Sequence, residues 1–204
     1  KLLEQFRVPT NRKISQMSKG MRAKVSLSLS LAPQPELLIL DEPTSGLDTL
    51  VRREFLESMV DIAAAGRTVF LSSHQIGEVE RVADIVAIVR EGELLVVESL
   101  DRLKCQIHEL TFTMNGTREP EIPGQVIARR QRGKQWQLIV RSDEDIDFNT
   151  LTAQADVLAV ESRTPSLEEI FVAYMQSERS TAQDLSNAQG LQSLGVGGGI
   201  TGDS

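Results

Sequence analysis

Short apolar runs alternate with longer amphipathic stretches through the first half of the chain. The run 37–40 contains four consecutive large aliphatic residues between Pro35 and Pro43. It predicts a strand covered on both faces, as in a parallel α/β sheet. A second strand is predicted over 67–73, and its buried residues are expected to be Val69, Phe70 and Leu71. Together these runs indicate an α/β fold with a parallel sheet.

Two helices are predicted around the first strand. One begins at Ser18 as its N-cap and stops at Pro33. Its apolar stripe is expected to consist of Met21, Val25, Leu29 and Ala32. The other occupies 49–65, capped by Asp48 and ended by Gly66. Helices on both sides of a strand in sequence are the arrangement that a parallel sheet requires.

The remaining pattern predicts the end of this α/β unit and a smaller appendage. The α/β unit is expected to end at residue 104. After the second strand we expect a helix over 75–83, a buried strand over 85–89 and a turn at Glu91 and Gly92. A strand over 94–97 and a helix from Ser99 to near Gln106 are expected to follow. Residues 105–177 predict a small α+β domain. Its strands are expected at 108–114, 125–129, 135–140 and 157–160, its helices at 143–154 and from a capping box at Ser166 to Gln176. Residues 178–204, rich in Ser, Gln, Ala and Gly, predict a flexible tail.

Composition narrows the class of protein. The formal net charge of −7 argues against a surface built mainly for nucleic acid, so no nucleic-acid partner is expected. One cysteine excludes an internal disulfide and suits a reducing compartment. No apolar run approaches the roughly 18 residues that a membrane span needs. Any association with a membrane is therefore expected to come through a partner.

Candidate chemistry lies at the carboxyl ends of the two predicted strands. Asp41 and Glu42 follow the first strand directly, and His74 follows the second. Ligands collect at this edge of a parallel sheet. Adjacent acids there can hold magnesium and orient or deprotonate a water beside a phosphate. The alternative for the acids is a solvated turn after a core strand, and an isolated histidine is usually structural or on the surface. The second histidine, His108, is interpreted as non-functional.

Three segments in order resemble motifs of ATP-binding cassette (ABC) ATPases. The segment 37–48 is similar to the Walker B strand and D-loop of that family. The segment 17–21, Met-Ser-Lys-Gly-Met, is similar to its Leu-Ser-Gly-Gly-Gln signature, and 71–74 to its switch-histidine strand. The Ser-Leu-Glu-Glu-Ile-Phe run beginning at Ser166 is similar to the carboxyl-terminal extension of ABC export ATPases. The fold expected from the resemblance is the C-terminal part of a P-loop NTPase core, followed by the appendage and tail.

The resemblance assigns roles to individual residues. It implies that Glu42 is the general base, that Asp41 holds Mg²⁺, and that His74 holds the γ-phosphate of ATP and the attacking water. It also implies that Ser18 and Gly20 serve the ATP bound by a second nucleotide-binding subunit in a homo- or heterodimer, and that Asp48 lies at the dimer interface. The segment departs from the family pattern in its first, third and fifth residues, which are Met17, Lys19 and Met21. For Ser18 and Asp48, helix capping alone is the alternative reading.

The phosphate-binding loop of the family is missing. No Gly-x-x-x-x-Gly-Lys-Ser/Thr segment occurs in the 204 residues. In ABC ATPases that loop precedes the signature, and here only residues 1–16 do so. We therefore expect a chain that lacks the front half of its cassette and is inactive alone, since positioning supplies most of phosphoryl-transfer catalysis.

The whole protein is expected to be the ATPase subunit of an ABC transporter. The resemblance implies a separate transmembrane permease as partner, and a location in the cytoplasm on the inner face of the cell membrane. Two alternatives stay open. One is a non-catalytic partner subunit that supplies its signature helix to another chain. The other is a soluble ABC ATPase of DNA repair or translation.

Overall fold

The computed structural model describes residues 2–6, 8–116 and 118–177, which divide into two compact units with the boundary between Ala83 and Asp84. Both units combine helices and strands, so the mixed α/β class is confirmed. The domain limits expected at 104 and 177 stay predictions, and the predicted tail 178–204 lies outside the described residues. No helix in the described ranges has the length and apolar character needed to cross a membrane.

The first unit carries a two-stranded parallel sheet and the helices that flank it. Its strands are β1 (Leu37–Leu40) and β2 (Thr68–Leu71), paired in register so that Leu40 lies opposite Leu71. Its helices are α1 (Leu2–Gln5), a 3₁₀ turn (Ile14–Gln16), α2 (Lys19–Leu31), α3 (Thr49–Ala64) and α4 (Ile76–Val79). Because the strands run parallel, residues 41 and 72, which follow them, meet at one edge of the sheet.

One face of this sheet packs against the helices, and the other is exposed among the described residues. Leu38 joins a core with side chains of α2 and α3, including Leu27, Phe55 and Met59. The opposite face presents Leu37, Ile39 and Phe70, which are 51%, 67% and 59% exposed. The prediction that both faces of β1 and the side chain of Phe70 are buried is therefore wrong, because α2 and α3 pack on the same side.

Two helical predictions in this unit also need correction. The buried stripe of α2 includes Gly20, Leu27 and Leu31, whereas Leu29, expected on that stripe, is 68% exposed. The helix expected over 75–83 is regular only over Ile76–Val79. The chain then tightens into a turn in which the N–H of residue 82 donates to the carbonyl of Val79 at 3.0 Å.

The described part of the second unit contains a hairpin, a four-stranded antiparallel sheet and three helices. The hairpin pairs β3 (Ile85–Arg90) with β4 (Glu93–Ser99). The sheet has the order β6-β7-β5-β8, formed by β5 (Ile107–Met114), β6 (Gln125–Arg132), β7 (Gln135–Arg141) and β8 (Val157–Arg163). The helices are α5 (Leu100–Gln106), α6 (Phe148–Thr152) and α7 (Leu167–Gln176).

One core cluster of the second unit lies on a single face of its sheet. Leu110, Phe112 and Leu138 project into it and are fully buried, and Leu151 of α6 covers them. The helix expected over 143–154 is reduced to α6, because Asp147 accepts the backbone N–H of residue 149 and starts the helix there. The strand expected to be wholly buried over 85–89 instead alternates, with both end residues 52% exposed.

A carboxylate–guanidinium network joins β5, β8 and the start of α7. Glu109 is 5% exposed, and its carboxylate accepts hydrogen bonds from Arg163 Nε at 3.1 Å and Nη2 at 2.5 Å. Gln137 donates to the same carboxylate at 2.7 Å. Arg163 also donates to Glu169, whose side chain completes the predicted capping box with Ser166. Hydrogen bonds from Arg163, and then from the Ser166 backbone, lower the pKa of Glu169 to about 2.

Candidate functional site

The two strand ends bring the predicted acids and histidine together. Asp41 and Glu42 continue from β1, and residues 72–74 continue from β2. The ladder extends one step beyond the strands, because the Ser72 N–H donates to the Leu40 carbonyl at 2.9 Å. This bond fixes the register at which the side chains of the two segments meet.

Glu42 and His74 form a direct contact. His74 Nδ1 lies 2.7 Å from Glu42 Oε2, and the two side chains are 63% and 36% exposed. Since a carboxylate accepts, the contact assigns a ring proton to Nδ1. A carboxylate oriented by an imidazole and open to water has the geometry of a general base that can receive a proton from a neighbouring molecule.

Ser72 connects the two acids, and the sequence analysis did not single it out. Its hydroxyl donates to Asp41 Oδ1 at 2.5 Å and accepts the backbone N–H of Glu42 at 2.9 Å. Like His74, Ser72 is a polar residue just after the second strand, so its position alone marks it equally well. The sequence does not distinguish Ser72 from its neighbour Ser73, because both are small polar residues at the end of the same strand.

Glu42 has an unusual backbone conformation. Its φ is +45°, in the left-handed region that side chains other than those of Asn and Asp seldom adopt. The carbonyl of Glu42 accepts the N–H of Ser45 at 3.1 Å, which closes a turn directly after the acids. Non-glycine residues in this region persist when their surroundings hold them, and they cluster at functional sites.

The loop that ends at Asp48 is tied to the segment that follows His74. Asp48 caps α3 by accepting the Val51 N–H at 3.0 Å, so its predicted capping role is confirmed. On α3, Arg52 donates to the Leu47 carbonyl at 3.0 Å. The same guanidinium donates to the side chains of Gln75 and Glu78. Arg52, which the sequence analysis missed, therefore holds two loops of the site against one helix.

The start of α2 lies beside the same loop and the start of α3. Ser18 caps α2 by accepting the Met21 N–H at 3.2 Å, as predicted. Gly20 is buried, and a Cβ there would come within 2.7 Å of the Val51 side chain, so the absence of a side chain is needed for helix packing. A Cβ at Gly46, whose φ is +68°, would collide with the Lys19 ammonium. The amino end of α2 and the turn after the acids are therefore neighbours.

The oxygen chemistry at Asp41 suits a hard cation. Mg²⁺ is usually held in proteins by one or two carboxylates together with water and substrate phosphates. Asp41 provides one exposed carboxylate, with Oδ1 already accepting from Ser72. In the described part of the chain, no three His, Cys, Asp or Glu side chains form a group able to hold a metal by themselves. The residues thus fit a cation that a bound phosphate would help to ligate.

A family model and several curated proteins match this chain. The model is described as "AAA domain, putative AbiEii toxin, Type IV TA system" and matches residues 6–80, which include the acids and His74. An uncharacterized ABC transporter ATP-binding protein of Alkalihalophilus pseudofirmus is 30% identical over 83% of this chain and 66% of its own length. The ABC transporter ATP-binding protein YtrB of Bacillus subtilis is 25% identical over 87% of this chain and 61% of its length.

Shorter matches reach higher identity. The fluoroquinolones export ATP-binding protein of Mycobacterium tuberculosis is 41% identical over 45% of this chain and 30% of its own length. Across these three relatives the matched region therefore spans between about a third and two thirds of the relative's length.

Proposed function

The chain is a homologue of the ATP-binding proteins of ABC transporters, and we propose that it is the part of such a subunit that carries the water-activating side of the ATP site. The observation that carries the proposal is the contact of Glu42 with His74, beside Asp41, at the carboxyl ends of two parallel strands. We infer from the homology that the substrate is ATP and that the reaction transfers its γ-phosphoryl group to water.

The described residues divide the work of hydrolysis. Glu42 accepts a proton from the attacking water, because its carboxylate is accessible to solvent and is held in orientation by His74. His74 holds the γ-phosphate. Asp41 would hold Mg²⁺, and the cation would neutralise charge that develops on the phosphate oxygens.

Further groups serve a second nucleotide-binding subunit in this proposal. The amino end of α2, with Ser18 and Gly20, directs backbone N–H groups and a positive helix end that suit the phosphates of an ATP held by the other subunit. Asp48 would lie at the interface between subunits. Because Arg52 joins the carbonyl next to Asp48 to the residue after His74, a change at the interface would reach the catalytic loop through one side chain.

The partner that uses the energy of hydrolysis is proposed to be a separate membrane permease, with this subunit on the cytoplasmic face. Two of the relatives described above are named as ATP-binding proteins of ABC transporters, and the third is named for export. We extend the transport role, and export as its direction, to this chain. The 204 residues contain no P-loop motif, so in this proposal the β- and γ-phosphates are anchored by residues outside them.

The test is Glu42→Gln in the protein encoded by the complete gene. We expect Mg-ATP binding to stay within threefold and turnover to fall about 10²- to 10⁴-fold, the usual contribution of general-base catalysis. The matched control is Glu36→Gln, the same change at an exposed position just before the opposite end of β1, which should leave turnover unaltered. Unchanged turnover in Glu42→Gln with intact ATP binding would contradict the proposal.

A second candidate is a non-catalytic partner subunit. It stays open because Lys19 stands at the start of α2, where the family signature has glycine, and because no P-loop motif occurs in the 204 residues. The presence of Glu42 and His74 speaks against it. This candidate predicts that turnover of the assembled complex is insensitive to Glu42→Gln but is lost when residues at the start of α2 are changed. Turnover of the assembled complex with the change at Glu42, compared with turnover after changes at the start of α2, therefore separates the two candidates.

A further inference from the structure

One hydroxyl group bonds both neighbouring acids of the site. Ser72 follows β2 by one residue, and its Oγ is 2.5 Å from Asp41 Oδ1 and 2.9 Å from the backbone nitrogen of Glu42. A serine hydroxyl has one proton to donate and lone pairs with which to accept. Since Asp41 is a carboxylate and the Glu42 N–H is a donor, both roles of the hydroxyl are used at once.

The bond to the backbone acts at the strained residue. Glu42 has φ of +45°, and its own side chain lies against His74. The Ser72 hydroxyl accepts the N–H of this residue, while its carbonyl accepts from Ser45. Both polar backbone groups of Glu42 are thus held by named partners, and one of these partners also holds the side chain of Asp41.

We propose that Ser72 is a positioning residue for ATP hydrolysis: its hydroxyl fixes the carboxylate of Asp41 and the left-handed backbone of Glu42 in one arrangement. This inference rests on the proposed function. Ser72 touches neither ATP nor the attacking water in this role and acts only through the two acids. Without the hydroxyl, Asp41 is free to rotate and the peptide before Glu42 loses its anchor, so the base and the cation ligand no longer keep a fixed separation.

The first experiment measures the contact itself and does not depend on activity. Amide hydrogen exchange at Glu42 is followed in the wild type and in Ser72→Ala. Loss of one net hydrogen bond should speed exchange about fivefold. The control is Ser58→Ala, which removes a hydroxyl bonded to the Glu54 carbonyl within α3 and should leave exchange at Glu42 unaltered. Equal exchange in wild type and Ser72→Ala would overturn the inference.

The second experiment uses a matched pair, Ser72→Thr and Ser72→Val, in the complete protein. Thr and Val have nearly the same shape, and only Thr keeps the hydroxyl. We expect Ser72→Val to lower kcat about 10- to 100-fold, as loss of an outer-shell partner does, with KM for Mg-ATP within threefold. Ser72→Thr should recover most of the rate.

The outcomes separate this inference from the function on which it rests. If the wild type turns over ATP and both the Thr and the Val variant are as active as the wild type, the positioning role is wrong and the proposed function stands. If both variants lose activity equally while retaining the wild-type melting temperature, shape rather than the hydroxyl matters, and the inference is again wrong. If the wild type in its complete form has no turnover, the proposed function fails and the positioning role with it.

Discussion

Replacing Arg163 by Met should destabilise the second unit because it removes the cation that serves a buried carboxylate. The Glu109 side chain is 6% exposed and accepts three hydrogen bonds from described residues. Arg163, itself 50% exposed, supplies two of them. Gln137 supplies the third and stays in place. Met has a similar length and no charge, so the change removes the hydrogen bonds while it keeps most of the apolar stem.

The magnitude follows from the difference in exposure between the two partners. Breaking a fully buried ion pair costs about 3 to 5 kcal/mol, because a charge is left uncompensated. We expect the cost at Glu109 to lie near the lower limit of this range, because Gln137 still donates to the carboxylate and Arg163 is half-exposed. The more exposed pair with Glu169 adds less than about 1 kcal/mol. We expect the free energy of unfolding to fall by about 3 kcal/mol.

Urea unfolding followed by tryptophan fluorescence is the assay. The chain has a single tryptophan, Trp136, and it lies on β7 of the same sheet. With a slope of about 2 kcal/mol per molar urea, the midpoint should fall by about 1.5 M. Arg118→Met is the control, since that guanidinium is 75% exposed in an exposed pair, and its midpoint should move by less than about 0.3 M.

A double variant tests the reason for the loss. Glu109→Gln makes the buried group neutral, so that it no longer needs a cation, and Glu109→Gln with Arg163→Met should recover at least about 1 kcal/mol relative to Arg163→Met. If Arg163→Met leaves the midpoint within 0.3 M of the wild type, or the double variant loses the sum of both single losses, the buried Glu109 carboxylate does not depend on the Arg163 cation.

Two further predictions concern the second unit. The pKa of Glu169 in the folded state is about 2, lower than its ordinary value of 4.5. Its contribution to the free energy of unfolding is therefore present above pH 4.5 and is lost as the pH falls towards 2. The stability advantage of wild type over Glu169→Gln should fall from about 1 kcal/mol at pH 6 to none near pH 2, measured by urea unfolding, and an advantage independent of pH would contradict it. Gly124→Ala should cost about 3 kcal/mol, because φ is +91° and a Cβ would lie 2.5 Å from the Arg141 carbonyl oxygen. Gly133→Ala, with φ of +60° and no atom within 4 Å, should cost about 1 kcal/mol in the same assay, and equal losses would show that the contact is harmless.

Elements whose signals are local were predictable from the sequence. Ser18 and Asp48 precede amphipathic stretches and cap helices in the structure, and the Ser166 capping box begins α7 as expected. The proximity of Glu42 and His74 could also be anticipated, because consecutive parallel strands end at one edge. In each case a few neighbouring residues carry the physical cause.

Features that depend on three-dimensional packing were not predictable in the same way. Phe70 is apolar and lies in a strand, yet its exposure depends on which face α2 and α3 cover. Helix α6 starts five residues later than the pattern suggested, because the side chain of Asp147 accepts a backbone N–H. Ser72 has no sequence feature that distinguishes it from Ser73, and only the structure shows its contacts with Asp41 and Glu42.

The left-handed backbone of Glu42 means that the residue best for stability at this position differs from the residue proposed for catalysis. A glycine at this position would relieve about 1 to 2 kcal/mol of steric strain and would be the residue of choice for a tight turn. Selection for a sturdier fold alone would therefore favour loss of the proposed base. Libraries screened only for heat resistance should drift towards glycine at position 42, whereas libraries screened for ATP turnover should keep glutamate there.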